Sequence, residues 1–268
     1  MNFKRQVYIF LIFLIHCSIQ GFTQSPLSTV QIASGGSKSI IAAGQFNLIN
    51  PISNLNLNEG WNLLASTENR FFADIQSNFI SLAQNSENQG FIFGFHDYGI
   101  DGYSINTWSL GYGRKLSTRW QIGARMKIFT LNIQETANQS EFNVDLSLQY
   151  HMFDPLKISI LIENLNSSNN LNPSFINFGA QLKVSKKLIL ISESQIAITK
   201  APPQVPTVII GIHYQMIDRL NLYIGVNTTY QGPSIGLTYD WKAYSFSIGV
   251  SNHAQLGRTS SFSLGLRI

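Results

Sequence analysis

Ser251, Asn252 and His253 bring together the residue types a hydrolase uses, a hydroxyl nucleophile and an imidazole to take its proton. Hydrolases built on membrane barrels carry the histidine before Ser-Asn. Here the order is reversed in what reads as a loop, so a polar loop tip is expected and no enzymatic activity. His151 and His213 have no second imidazole or carboxylate at ligand spacing, His96 sits near the end of an apolar run, and His16 belongs to the N-terminal leader, so no metal site and no cofactor are expected. A second set is harder to dismiss. Arg125, Lys127, Asp145, Glu193, Asp240 and Arg267, with His151 and His213, all fall on the polar face of segments whose other face is apolar. Charges at such positions need water or partners. They predict either a hydrogen-bonded network or a selective path for a solute.

The segments that carry these residues alternate with period two. Phe142, Val144, Leu146, Leu148, Tyr150 and Met152 share one face, and Asn143, Asp145, Ser147, Gln149 and His151 share the other. Successive side chains of a strand point to opposite sides, so each such run is a strand with one dry face and one wet face. Fourteen strands are expected, near residues 60–68, 75–84, 89–98, 103–115, 119–132, 140–152, 156–163, 175–185, 188–198, 206–215, 219–228, 233–242, 243–251 and 260–268. Most have the length of a tilted membrane-spanning strand, about 9–11 residues.

Composition agrees. Charged residues make up 12% of the 268, about half the usual share, while aromatics make up another 12%, with 18 Phe and 10 Tyr. A surface so short of charge is not covered by water alone. The connections are expected to be tight after even-numbered strands, as at 85–88, 116–119, 153–156, 185–187 and 217–219. After odd-numbered strands they are expected to be longer, as at 97–103, 134–140, 163–174, 200–206 and 251–260. Sorting of this kind belongs to an all-β, closed, antiparallel up-and-down transmembrane barrel with both termini in the periplasm of a Gram-negative bacterium. Trp61, Trp108, Trp120, Trp241 and Tyr244 fit aromatic girdles at the membrane surfaces.

Residues 1–23 read as a signal peptide, with Lys4 and Arg5 before an apolar run from Val7 to Ile15. Removing them takes away Cys17, the single cysteine, and lowers the net charge of +4 by two. No basic cluster is left for nucleic acid. Residues 24–59 do not alternate and are rich in Gly, Ser and Asn, so they are expected in the periplasm or as a hatch in the barrel lumen, with residues 60–268 forming the barrel. Small inward residues such as Ser245, Ser247, Gly249 and Ser263 leave room for the lumenal placement, and Asn47, Asn50 and Pro51 are its candidate contacts.

The run "GGSKSIIAAGQFNLINP", followed by about fourteen strands, resembles the N-terminal region of the FadL-like superfamily of long-chain fatty acid transporters. The segments "STENRFFADIQSNFISLA" and "LGYGRKLSTRWQIGARM" are similar to Bacteroidota outer-membrane barrels related to the PorV and PorQ proteins of type IX secretion. The first likeness implies a lumenal hatch and passage of a hydrophobic or small solute. The second implies a structural or docking role beside envelope or secretion-system proteins. With its short loops, the chain is expected to serve the docking role first and transport second, with outer-membrane lipid as its surroundings.

Overall fold

Alternation over 8–15 residues at a time gives each strand an apolar outer face, and closure gives every strand two hydrogen-bonded neighbours. The computed structural model describes residues 29–34, 36–40, 50–55, 57, 59–70, 75–134, 138–167, 173–198, 206–228 and 232–268. The expected signal peptide and Asn47 lie outside these. Two short helices, α1 (Thr29–Ala33) and α2 (Pro51–Asn54), precede fourteen strands. The strands are β1 (Gly60–Arg70), β2 (Ile75–Asn85), β3 (Gln89–Ile100), β4 (Tyr103–Lys115), β5 (Trp120–Ile133), β6 (Gln139–Phe153) and β7 (Leu156–Glu163). They continue as β8 (Phe175–Lys183), β9 (Leu188–Ala197), β10 (Thr207–Ile217), β11 (Leu220–Asn227), β12 (Gly232–Trp241), β13 (Tyr244–His253) and β14 (Gly257–Arg267).

Each strand pairs antiparallel with the next, and β14 closes on β1 from Asn62↔Arg267 to Asn69↔Ser260. Closure removes sheet edges and pairs the backbone polar groups, as a wall in hydrocarbon must. Outward residues such as Ile80, Phe93, Ile128 and Ile235 stay about half exposed, while inward Ser81, Asn143 and Asp145 are buried. No helix of the described residues is long and apolar enough to cross a membrane. Any crossing is made by strands.

The two ends of the barrel differ less than the sequence predicts. The turn end carries Gly60, Arg267 and six connections, 86–88, 116–119, 154–155, 184–187, 218–219 and 242–243. At the loop end, two of the connections expected to be long are tight. The strands continue to Ile100 and from Tyr103, so only Asp101 and Gly102 remain of the expected loop 97–103, with Gly102 at φ 79°. The expected loop 251–260 shrinks to residues 254–256. Ser251, Asn252 and His253 are therefore part of β13, not a loop tip. His253 is buried, and its Nδ1 accepts from the backbone N–H groups of Gln255 and Leu256 at 3.2 and 3.1 Å, so the ring staples the turn. Long connections remain at 164–174 and 198–206.

Trp61, Trp120, Trp241 and Tyr244 face outward at the turn end, where Trp120 packs on Tyr150 and Trp241 on Tyr244. Trp108 does not belong to a girdle. It lies in the middle of β4 and packs against Phe93 and Phe95.

The described residues of 29–57 lie against inward faces. Helix α1 packs on β11–β14 and α2 on β3–β6. Wall glycines allow the close approach. A Cβ added to Gly236 would sit 2.5 Å from Cβ of Ala33, and one on Gly179 would meet Ser39 and Ile40. Leu57 joins an apolar cluster of inward residues on β1–β3, Leu64, Phe79, Ala83 and Ile92.

Candidate functional site in the barrel lumen

Register brings the first group of charges together. Arg125 on β5 lies directly opposite Asp145 on β6, and inward parity places Lys127 two residues further along β5. Arg125 Nε donates to Asp145 Oδ2 at 2.7 Å, and Lys127 Nζ is 2.8 Å from Asp145 Oδ1. All three residues are buried. Asn164, just beyond β7, completes the group. Its N–H donates to Asp145 Oδ1 at 2.9 Å, and its side-chain oxygen accepts from Lys127 Nζ at 2.6 Å. Asn164 adopts φ 55°, a left-handed conformation that asparagine tolerates better than most residues. Its amide nitrogen also donates to the carbonyl of Pro173, which ties the long connection 164–174 back onto the ion cluster.

The second group holds the lumenal segment. Glu193 on β9 accepts from the backbone N–H groups of Lys38 and Ser39, at 3.0 and 2.7 Å to Oε2. The Ser39 hydroxyl donates to the same oxygen at 2.6 Å, and the Ser37 hydroxyl, 2.9 Å from it, shares its one proton with the Ile40 carbonyl at 2.7 Å. One buried carboxylate thus gathers three donors and a shared fourth from a single stretch of chain. Beside it, Lys38 Nζ donates to Glu163 Oε1 on β7 at 3.0 Å, and Asn177 donates to the same oxygen at 2.9 Å. Asn50 extends the anchor. Its amide donates to the carbonyl of Ser39 at 2.9 Å while its side-chain oxygen accepts from the N–H of Ile52. Pro51 packs against the wall at Gly111, Gly113 and Gly123. Across these two groups, Asp145, Glu163 and Glu193 are matched by Arg125, Lys127 and Lys38. The charges balance, as a dry interior requires.

Toward the loop end, the inner faces of β3–β5 carry an apolar cluster. Ile105, Phe129 and Leu131 form a buried cluster with Tyr98 and Tyr103 packed against it. Arg70 lies over the Tyr98 ring at 5.2 Å and pairs with Glu68 at 2.8 Å.

Toward the turn end lies a cavity of about 460 Å³ whose walls mix polar and apolar side chains. His213, Asp240 and Arg267 line it, as do Lys157, Gln181 and Lys183. Arg267 is 3.4 Å from Asp240, and both side chains remain about a quarter exposed. His151 is on the inner face near this end and meets Gln149 at 2.9 Å, without joining His213 or Asp240. Among the described residues no group of three metal-ligating side chains converges.

The eight inward residues predicted from the sequence therefore separate into three places. Arg125, Lys127 and Asp145 form one cluster, Glu193 anchors the segment, and His213, Asp240 and Arg267 share the cavity with His151 nearby. Sequence reading missed Glu163 and Lys157, although both have the inward parity of Ser159 and Leu161 in β7. It also missed Lys38 and Asn164, which lie where alternation is absent.

The closed antiparallel barrel has the fold of solved outer-membrane hydrocarbon channels. The toluene transporter TodX of Pseudomonas putida has the same fold, with 11% identity, a TM-score of 0.66, and coverage of 92% of this chain and 98% of that one. The monoaromatic hydrocarbon channel CymD is similar at 10% identity and a TM-score of 0.65, covering 92% and 99%. A Pseudomonas aeruginosa FadL homologue is similar at 10% identity and a TM-score of 0.59, also covering 92% and 99%. At such identities the likeness is one of fold. By sequence, residues 31–180 match the family described as "Family of unknown function (DUF5723)", and the chain belongs to that family. No curated protein matches its sequence.

Proposed function

We propose that the protein is an outer-membrane channel for a small, largely hydrophobic solute, with both termini in the periplasm and residues 24–59 acting as a hatch. The observation that carries this reading is the anchoring of residues 37–39 on Glu193, whose carboxylate gathers the N–H groups of Lys38 and Ser39 and the Ser39 hydroxyl and so holds a polar segment against the lumenal wall. A purely structural barrel gains little from binding its own N-terminal segment in this way. The inward cluster of Tyr98, Tyr103, Ile105, Phe129 and Leu131 supplies an apolar surface at the loop end where such a solute would arrive. Hydrocarbon channels of the same fold support the choice of solute class. The inward charges predicted as binding residues act in this scheme on the hatch and on the shape of the path.

The docking role beside type IX secretion takes second place. In its favour stand the tight connections at Asp101-Gly102 and 254–256, which add little chain to the rim beyond the strands they join. Neither the family match nor the neighbouring folds point to secretion.

The test is removal of the hatch. Deleting residues 25–55 after the signal should leave a barrel that inserts and shows heat-modifiable migration on gels, while its planar-bilayer conductance rises from near zero to a measurable value. Correct insertion with no gain in conductance would end the hatch reading. Uptake of toluene into proteoliposomes, compared with empty vesicles, tests the solute class separately.

A further inference from the structure

Cations ring the outer rim of the turn end. Four of its six connections carry them, with Arg119 in 116–119, Lys186 and Lys187 in 184–187, Arg219 in 218–219 and Lys242 in 242–243, and Arg114 stands near the end of β4. All six are exposed, and none is in an ion pair among the described residues. Over the whole turn end, lysine and arginine outnumber aspartate and glutamate by ten to five, so Glu87, Asp154 and Asp218 interrupt the ring without reversing its sign. The loop end has the opposite balance. Of its described charges that are not buried, Asp97, Asp101 and Glu141 are acidic and Arg258 alone is basic.

Aromatic side chains follow the same asymmetry. Trp61, Trp120, Trp241 and Tyr244 face outward at the turn end and are nearly half exposed, whereas no described tryptophan or tyrosine faces outward at the loop end. Such rings settle between hydrocarbon and headgroups. The cations adjoin them. Lys242 Nζ lies 5.5 Å from the centroid of the Trp241 ring, Arg119 directly precedes Trp120, and Arg114 shares the outward parity of Tyr112. A cation one or two residues beyond an interfacial ring stands at the depth of lipid phosphates, which its stem reaches while its head stays in water.

A basic surface fits either an acidic protein or a layer of anionic headgroups. The distribution favours headgroups. Cations occur on the β4–β5, β8–β9, β10–β11 and β12–β13 hairpins, so they follow the circumference of the barrel. A soluble partner covers one sector, whereas a leaflet surrounds every strand. Arginine also matches phosphate in particular, because its planar fork offers two parallel donors to two oxygens. We propose that the turn-end rim is a docking surface for anionic phospholipid, with lipid phosphates held by Arg114, Arg119 and Lys242 where these adjoin the outward rings. The surface goes beyond the channel reading; it rests on the barrel lying in a bilayer and not on the passage of any solute.

The test places the full chain in phosphatidylcholine bilayers in which a rising share of lipid is brominated phosphatidylcholine or brominated phosphatidylglycerol. Quenching of Trp61, Trp120 and Trp241 then gives the relative binding of the two lipids at the rim, while Trp108, in the middle of β4, adds a background common to both. Phosphatidylglycerol should be preferred about fivefold or more at low salt, the size of one basic side chain at an anionic surface, and the preference should fall as salt rises. Arg114→Gln combined with Arg119→Gln, and separately Lys242→Gln, should each reduce it, and Arg258→Gln at the loop end should leave it unchanged. Equal quenching by the two lipids overturns the proposal and leaves an acidic protein as the partner of the rim. A preference that survives both sets of rim substitutions overturns it as well. So does displacement of brominated phosphatidylglycerol by lipid A more readily than by unlabelled phosphatidylglycerol. A chain that fails to insert, seen as loss of heat-modifiable migration, ends the barrel reading and this proposal together, whereas insertion without lipid preference ends this proposal alone. Conductance and toluene uptake report on the channel independently.

Discussion

The middle of the lumen and its turn-end cavity are built from the same strands and handle charge in opposite ways. In the middle, Asp145, Glu163 and Glu193 each meet cations or several donors, and the side chains are buried with their partners. At the turn end, Lys157 and Lys183 line the cavity, and the ammonium group of neither is in an ion pair among the described residues. Burial explains the contrast. A charge fully enclosed must be compensated within the protein, whereas a charge facing a cavity open to water or solute need not be. Paired charges fasten the lumenal segment, while unpaired charges remain available to something from outside.

The contrast predicts a gradient of effects on stability. The largest belongs to Asp145→Asn, which leaves Arg125 and Lys127 buried beside a neutral amide. Breaking a buried pair from one side costs about 3–5 kcal/mol, and the loss should appear as a lower temperature for heat-modified migration and a lower urea midpoint. A loss no greater than that of a rim substitution would remove the distinction between the two regions. Next comes Glu193→Gln, which leaves one acceptor oxygen where two stood. A loss of about 1.5–3 kcal/mol per charged hydrogen bond should fall on residues 29–57 rather than on the barrel. Limited proteolysis should therefore cut the lumenal segment of the variant while the strands stay resistant; uniform resistance would mean that Glu193 is not its anchor.

Smaller effects are expected at the turn end. Asp240→Asn breaks a longer, partly exposed pair with Arg267, and such pairs are worth about 0–1 kcal/mol. Denaturation that matches the Asp145 variant would show that the two regions are equally dry. Least of all, Lys157→Gln should change stability by about 0.5 kcal/mol or less, in the direction of a gain, because it removes repulsion from Lys183 and Lys115. A clear loss would reveal that Lys157 has a structural partner.

Much of this was legible one strand at a time. The parity that sets Asn143, Asp145, Ser147, Gln149 and His151 apart from Phe142, Val144, Leu146, Leu148 and Tyr150 places each residue on the wall or in the lumen. Parity fades at strand ends, where both faces turn polar. That is why 97–103 and 251–260 read as loops although the strands run on to Ile100 and His253. Trp108 was assigned to an interface by residue type alone, although the strand expected at 103–115 has the bounds of β4 and already places it mid-strand.

The sequence by itself determined the class of the protein: alternating strands of membrane-spanning length, an outer face for lipid, and an inner face that includes Arg125, Lys127, Asp145, Glu193, His213, Asp240 and Arg267. Period-two alternation is a local property, and it survives without knowledge of any neighbour. Only the tertiary structure decided which inward residues meet. Register set Arg125 against Asp145 across one hairpin. Closure set β14 on β1. The return of the N-terminal segment into the lumen set Ser37, Lys38 and Ser39 on Glu193, more than 150 residues away in sequence. Residues 31–57 carry no periodicity to announce that partnership, and those of them that the structure describes take their places from the wall they rest on rather than from an alternation of their own.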